Sequence, residues 1–144
     1  MKIENIFYKK KIIAMVISKI NLNKKKYFFP TFDNFPLQVG FINHKKGFNI
    51  KPHYHVKNLR KIKNISEVLL IKKGILRVDF YGDINKYLFS KFIRKNDIIV
   101  LISHGHGFKV IKDCSIVEIK QGPYIKSQDK KRFSRIDEKN VILK

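Results

Sequence analysis

Apolar side chains along this chain come in short runs of four to eight residues, rich in Ile, Val, Phe and Tyr, and each run is broken by Gly, Asn, Asp or a Lys pair. That pattern predicts short strands rather than helices, whose apolar positions would recur every three or four residues. The clearest predicted strands are 12–18, 37–43, 67–72, 75–81, 86–93, 97–102, 108–112 and 116–121. Eight strands in 144 residues imply an all-β sandwich or barrel of one domain. Lys72-Lys73-Gly74 reads as a hairpin turn in which glycine takes a positive φ, and Tyr81-Gly82-Asp83-Ile84-Asn85 reads as a second. Between these turns Leu76, Val78 and Phe80 alternate with Arg77 and Asp79, which puts the apolar set inside and the charged pair outside as surface charge.

The run Ile12 to Ile17, six residues between lysines, is too short for a signal-peptide core or a membrane span and reads as a buried strand. The polar end of the chain, from Lys126, looks detached, with 137–144 loosely held. The lone Cys114 lies in an apolar stretch and reads as a small buried side chain of a protein kept in the reducing cytoplasm.

Charge complicates this picture. There are 32 Lys and Arg against 11 Asp and Glu, a net +21. Only five of the 32 are Arg, while Ile and Asn are abundant and Ala14 is the single alanine, a profile that fits a codon bias toward A and T. Sequence-reading proteins favour the arginine fork, and no nucleic-acid-binding motif stands in the chain, so nucleic acid is not the expected partner. An anionic small molecule fits the charge equally well.

The chemistry concentrates in two places. His53-Tyr54-His55 follows Pro52, and in an extended segment residues i and i+2 project from one face, so the two imidazoles would converge while Tyr54 points away. Gly47 stands six positions before His53, and Glu67 seven before Gly74. Further on, Asn96-Asp97 makes a turn, Ile98 to Leu101 an apolar strand, and His104 and His106 follow. His44 has no partner in sequence and reads as structural.

These intervals resemble the two motifs of the cupin family, with Asn96 where a glycine is usual and a long lysine-rich stretch, Val56 to Ser66, inserted between the second histidine and Glu67. The stretches SEVLLIKKGILRVDF (66–80) and VEIKQGPY (117–124), with Asp129, Lys130 and Phe133, resemble small cupins encoded among genes for surface polysaccharides and sugar modification. The resemblance implies a cupin double-stranded β-helix, a jelly-roll barrel over 37–125, with N-terminal strands in 1–36 and a polar tail over 126–144. It implies one divalent metal, Fe, Mn, Ni, Co or Zn, held by His53, His55, Glu67 and His106, with His104 competing for the last position. Glu67 would ligate the metal or move a proton. From the residues themselves, Arg60 in the inserted stretch reads either as closing over an anionic substrate or as a solvated loop residue, and Gln121 beside the Gly122-Pro123 turn either as reaching the substrate pocket or as satisfying local backbone groups. A sugar ketoisomerase of the superfamily would carry a different histidine arrangement.

The expected activity is therefore metal-dependent isomerase or epimerase chemistry on a sugar or nucleotide-sugar. The alternatives are an Fe(II)-dependent dioxygenase and a non-catalytic small-ligand binder. A cytoplasmic homodimer without membrane attachment is the expected form. No serine elbow or phosphate-binding glycine loop offers another chemistry.

Overall fold

The computed structural model describes residues 1–21, 27–125 and 129–144. Within them the chain is all-β and antiparallel, with β1 (Lys2–Tyr8), β2 (Lys11–Ser18), β3 (Tyr27–Phe28), β4 (Phe41–Ile42), β5 (Glu67–Tyr81), β6 (Tyr87–Arg94), β7 (Ile98–Leu101) and β8 (Gly105–Lys120). Single 3-10 turns at Asp83–Asn85 and Glu138–Asn140 are its helical content. The first two strands form a hairpin over Lys9 and Lys10, both at positive φ, which is the backbone that two-residue hairpin loops use. β2 then pairs with β7 and β7 with β5, so the N-terminal strands belong to the main sheet. β3 and β4 form a separate two-stranded ladder.

The organising element is β5. Along one edge it carries β6 and β7 end to end, joined by the Asn96-Asp97 turn; along the other it carries β8 for its full length. Asn96 takes φ +69°, its N–H donates to the Ile71 carbonyl, and the Asp97 carboxylate accepts from the Arg94 N–H. The turn is thereby pinned to the middle of β5.

Lys72-Lys73-Gly74, expected to be a hairpin turn, is instead a bend inside this one strand. The expected strands 67–72 and 75–81 are halves of β5, and 108–112 and 116–121 are halves of β8. The pairing register slips three times between Ile71 and Leu76, opposite Val110 to Ile116. Gly74 sits there at φ +86°, and a Cβ on it would fall 2.0 Å from the Asp113 carbonyl oxygen. Glycine's positive φ thus serves a set of bulges that curl the β5–β8 ribbon, not a reversal of the chain. Glu67 pairs with Lys120 and Phe80 with His106, positions that a straight ribbon would hold about 43 Å apart. In the curled ribbon the side chains of Glu67 and His106 touch.

The hollow of the curl holds the larger core, with Leu69, Ile71, Leu76, Val78 and Phe80 of β5 packed against Ile13, Ile93 and Ile99. A second cluster of Met15, Ile17, Val68 and Val100 lies on the other side of the sheet, where Phe41 covers it. No closed ring of hydrogen-bonded strands forms among the described residues.

Arg77 and Asp79 are not surface charges. They are 5% and 3% exposed, because the C-terminal segment lies across the outer face of β5. The Arg77 guanidinium donates to both carboxylate oxygens of Asp79 and to both of Glu138, and Ser90 Oγ donates to Asp79. The two carboxylates hold the guanidinium pKa above its usual value, and Arg77 with Lys109 holds the Glu138 carboxyl down to about 2. Alternation failed here since a strand covered on both faces buries both sets of side chains, and the charged set is tolerated because each member is paired.

The tail is likewise fixed rather than loose. Ser90 N–H donates to the Ile142 carbonyl at 2.7 Å, Lys144 N–H donates to the Ser90 carbonyl at 3.0 Å, and the Ile136 N–H donates to the Tyr81 hydroxyl. Residues 126–128, where that tail was expected to begin, lie outside the described residues. Cys114 is partly buried against the larger core, and desolvation pushes its thiol pKa up.

Candidate functional site: a cationic cleft over a Glu–His pair

Where the two ends of the curled ribbon meet, a cleft of about 580 Å³ opens. Its floor is Glu67, the first residue of β5, and His106, near the start of β8. The His106 ring Nε2 lies 3.2 Å from Glu67 Oε2, and Lys130 Nζ lies 3.3 Å from Oε1. The Glu67 side chain is almost fully buried, which by itself would raise its pKa. The hydrogen bond from His106 outweighs burial, the charges of His106 and Lys130 add to it, and the carboxyl is pulled down to about 2. An ionised carboxylate only accepts, so the His106 Nε2 carries the hydrogen between them.

The local chain explains why these two residues face each other. Ser66 N–H donates to the Gln121 side-chain oxygen at 2.8 Å and Ser66 Oγ to the Ile102 carbonyl, which clamps the entry to β5 between the end of β8 and the end of β7. Gln121 is therefore committed to the backbone beside Glu67 and does not line the cleft. Its Nε2 is buried without a hydrogen-bond partner among the described residues, as is Oδ2 of Asp129 on the cleft wall.

His104 and His106 do not share a face. His104 sits at φ +66°, which breaks the alternation before β8 begins. Its ring accordingly turns to the Tyr8 ring edge and to Asp83 at 3.5 Å, while Nδ1 meets Ser103 Oγ at 2.9 Å. Of the two, His106 is the one at Glu67.

His53 and His55, expected in an extended segment, lie outside every strand. Both lie in an irregular, exposed segment, with ring centroids 5.4 Å apart and the His53 Nδ1 at 3.0 Å from the Lys51 carbonyl. The four expected metal donors thus stand as two pairs, Glu67 with His106 and His53 with His55. Among the described residues no group of three or more His, Cys, Asp or Glu side chains is arranged to hold a metal. The donor chemistry suits a divalent ion, but the four groups are not assembled around one point. Arg60, expected near the substrate, is exposed on the same segment and does not line the cleft. His44 is structural as expected, stacked on Phe48 and bonded to the Tyr27 hydroxyl.

What sequence reasoning missed is the wall. Lys63, Lys120, Lys130, Lys131, Arg132 and Arg135 surround the floor, against which Glu67 and Asp129 are the only acidic groups of the lining among the described residues. The run from Lys130 to Arg135 was legible as charge, but only the tail's path across the cleft gives it a place. Phe133 packs edge-on against Tyr81 and anchors that path. Comparison with known proteins adds no constraint on the chemistry, since no family model, no curated protein and no solved structure matches the chain.

Proposed function

We propose that this chain is a small cupin-like β protein whose cleft takes an anionic sugar derivative, such as a sugar phosphate or nucleotide-sugar, and that Glu67 and His106 move a proton on it. The observation that carries the reading is the six-cation wall around a buried, ionised Glu67 hydrogen-bonded to His106. Lysines supply point charges and the two arginines supply planar forks that grip a phosphate from two sides. A cleft of about 580 Å³ is ample for a monosaccharide with a phosphate group.

The roles within the pair follow from charge. A carboxyl held at about 2 is a poor base near neutral pH, so Glu67 acts by fixing the orientation of the His106 ring. His106 then presents its other nitrogen to the ligand as the group that takes or gives the proton. Proton transfer next to a sugar carbonyl is the step shared by isomerases and epimerases.

A second reading, carried by the resemblance to cupins, would hold a divalent metal on Glu67, His106, His53 and His55, and it would require the two pairs to come together. When bound, such an ion polarises a carbonyl or hydroxyl of the substrate.

Calorimetric titration with UDP-glucose, UDP and glucose tests the main reading. The nucleotide-sugar and UDP should bind, glucose alone should not, and Arg132→Ala/Arg135→Ala should weaken binding by at least about tenfold. Equal binding by the double variant, or no binding of either diphosphate at low salt, would overturn it.

A further inference from the structure

Every residue from Lys45 to Ile65 is exposed, and none of them belongs to a strand or helix. The stretch holds seven Lys and Arg, and no acidic residue occurs between Asp33 and Glu67. Yet it is not a merely polar loop. Leu59 is 100% exposed, and Ile50, Tyr54, Val56, Ile62 and Ile65 are exposed beside it, interleaved with Lys51, Lys57, Arg60, Lys61 and Lys63. Single exposed apolar residues are ordinary on a protein surface, but a series of them close together in a chain segment outside every strand and helix marks an interaction site.

We propose that residues 45–65 dock this protein on an anionic lipid surface, the lysines and arginine meeting the headgroups while Val56, Leu59 and their apolar neighbours enter the boundary with the acyl chains. Charge complementarity selects the partner. Seven cations without an acidic residue among them are drawn to an anionic leaflet, each adding to the attraction and each weakened by salt. The apolar members then distinguish lipid from other polyanions. Nucleic acid rewards arginine forks and aromatic stacking, whereas this segment carries one arginine, Arg60, and, beside Phe48 and Tyr54, mostly aliphatic apolar side chains that gain only by leaving water. No helix among the described residues is long and apolar enough to cross a bilayer, and docking on a lipid surface needs none. Lys63 and Ile65 at the end of the segment also line the cleft, whereas Val56 and Leu59, on which the docking is tested, do not.

The chain contains no tryptophan, so Leu59→Trp makes a single reporter. With full-length protein and vesicles of phosphatidylcholine with or without phosphatidylglycerol, flotation should show binding to the anionic vesicles only, reversed by high salt. Leu59→Trp emission should shift to the blue on those vesicles, while Trp placed at the exposed Phe7 of β1 should stay unshifted. Val56→Glu/Leu59→Glu should weaken binding by about tenfold or more with an unchanged melting curve. The proposal is overturned by any of three results: no binding to anionic vesicles at low salt, an unshifted Leu59→Trp on vesicles that do bind, or a Val56→Glu/Leu59→Glu variant that binds like the wild type. A single-stranded oligonucleotide that binds wild type and double variant alike, and outcompetes the vesicles, would reassign the segment's charge to nucleic acid.

Discussion

Glu67 and His106 meet at 3.2 Å although they belong to rungs of the β5–β8 ladder thirteen positions apart along β5, Glu67 opposite Lys120 and His106 opposite Phe80. Their contact measures how far the ribbon curls, and everything placed at the cleft depends on that curl.

Gly74→Ala is the direct challenge to it. A Cβ there would run into the backbone of Lys112 and Asp113 at a positive φ that alanine disfavours, so a loss on the order of 2–4 kcal/mol is expected. Urea unfolding followed by circular dichroism would read it. Gly47→Ala is the matched control, for Gly47 also has positive φ but nothing within 4 Å of an added Cβ, and it should cost clearly less.

Acid should act through Glu67. Its pKa is lowered on folding, so its contribution is fully present above the ordinary carboxyl value of about 4.5 and disappears as pH falls toward about 2. Melting temperatures recorded from pH 6 to pH 2.5 should fall more for wild type than for Glu67→Gln, whose side chain does not titrate. Parallel curves would mean that the pair contributes no pH-dependent stability.

Arg77→Met should be among the most damaging single changes, at about 3–5 kcal/mol, since it leaves the buried Asp79 carboxylate without its counter-charge. Arg77→Met/Asp79→Leu removes both charges and should recover a large part of that loss. A double variant no more stable than Arg77→Met would show that the guanidinium's link to Glu138, not the buried charge, is what matters.

The metal reading has its own measurement. Elemental analysis of protein made without a histidine tag should find close to one divalent ion per chain, lost both in His106→Ala and in His53→Ala/His55→Ala. Wild type that stays metal-free after reconstitution with Fe, Mn, Ni, Co and Zn would remove that reading and leave the proton-transfer pair intact.

Much of the fold was legible because alternation and turn residues act locally. The strands at 12–18, 86–93 and 97–102 correspond to β2, β6 and β7, and the 81–85 turn joins β5 to β6. The misreadings share one cause, which is that local pattern says nothing about what lies on the far side of a strand. Lys72-Lys73-Gly74 has the composition of a turn, and only pairing across to β8 makes it a bend. Arg77 and Asp79 have the spacing of a solvent face, and only the returning tail buries them. Glu67 and His106 were picked out as candidate donors, whereas the cationic wall could not be, since Lys63, Lys120 and Arg135 come together through three distant parts of the chain.

The β5–β8 ladder also implies an order of assembly. Its Tyr81–Gly105 end joins residues close in sequence, while its Glu67–Lys120 end spans the greatest length of chain. Loop-closure entropy favours zipping from the near end, through the bulges at Gly74, to the far one. Gln121, which holds Ser66 and so the entry to β5, engages only at that last step. Outside the bulged stretch around Gly74, amide protons at Glu67 and Val68 should therefore be the first of β5 to exchange with solvent, and the cleft floor would be the part of the ladder that breathes.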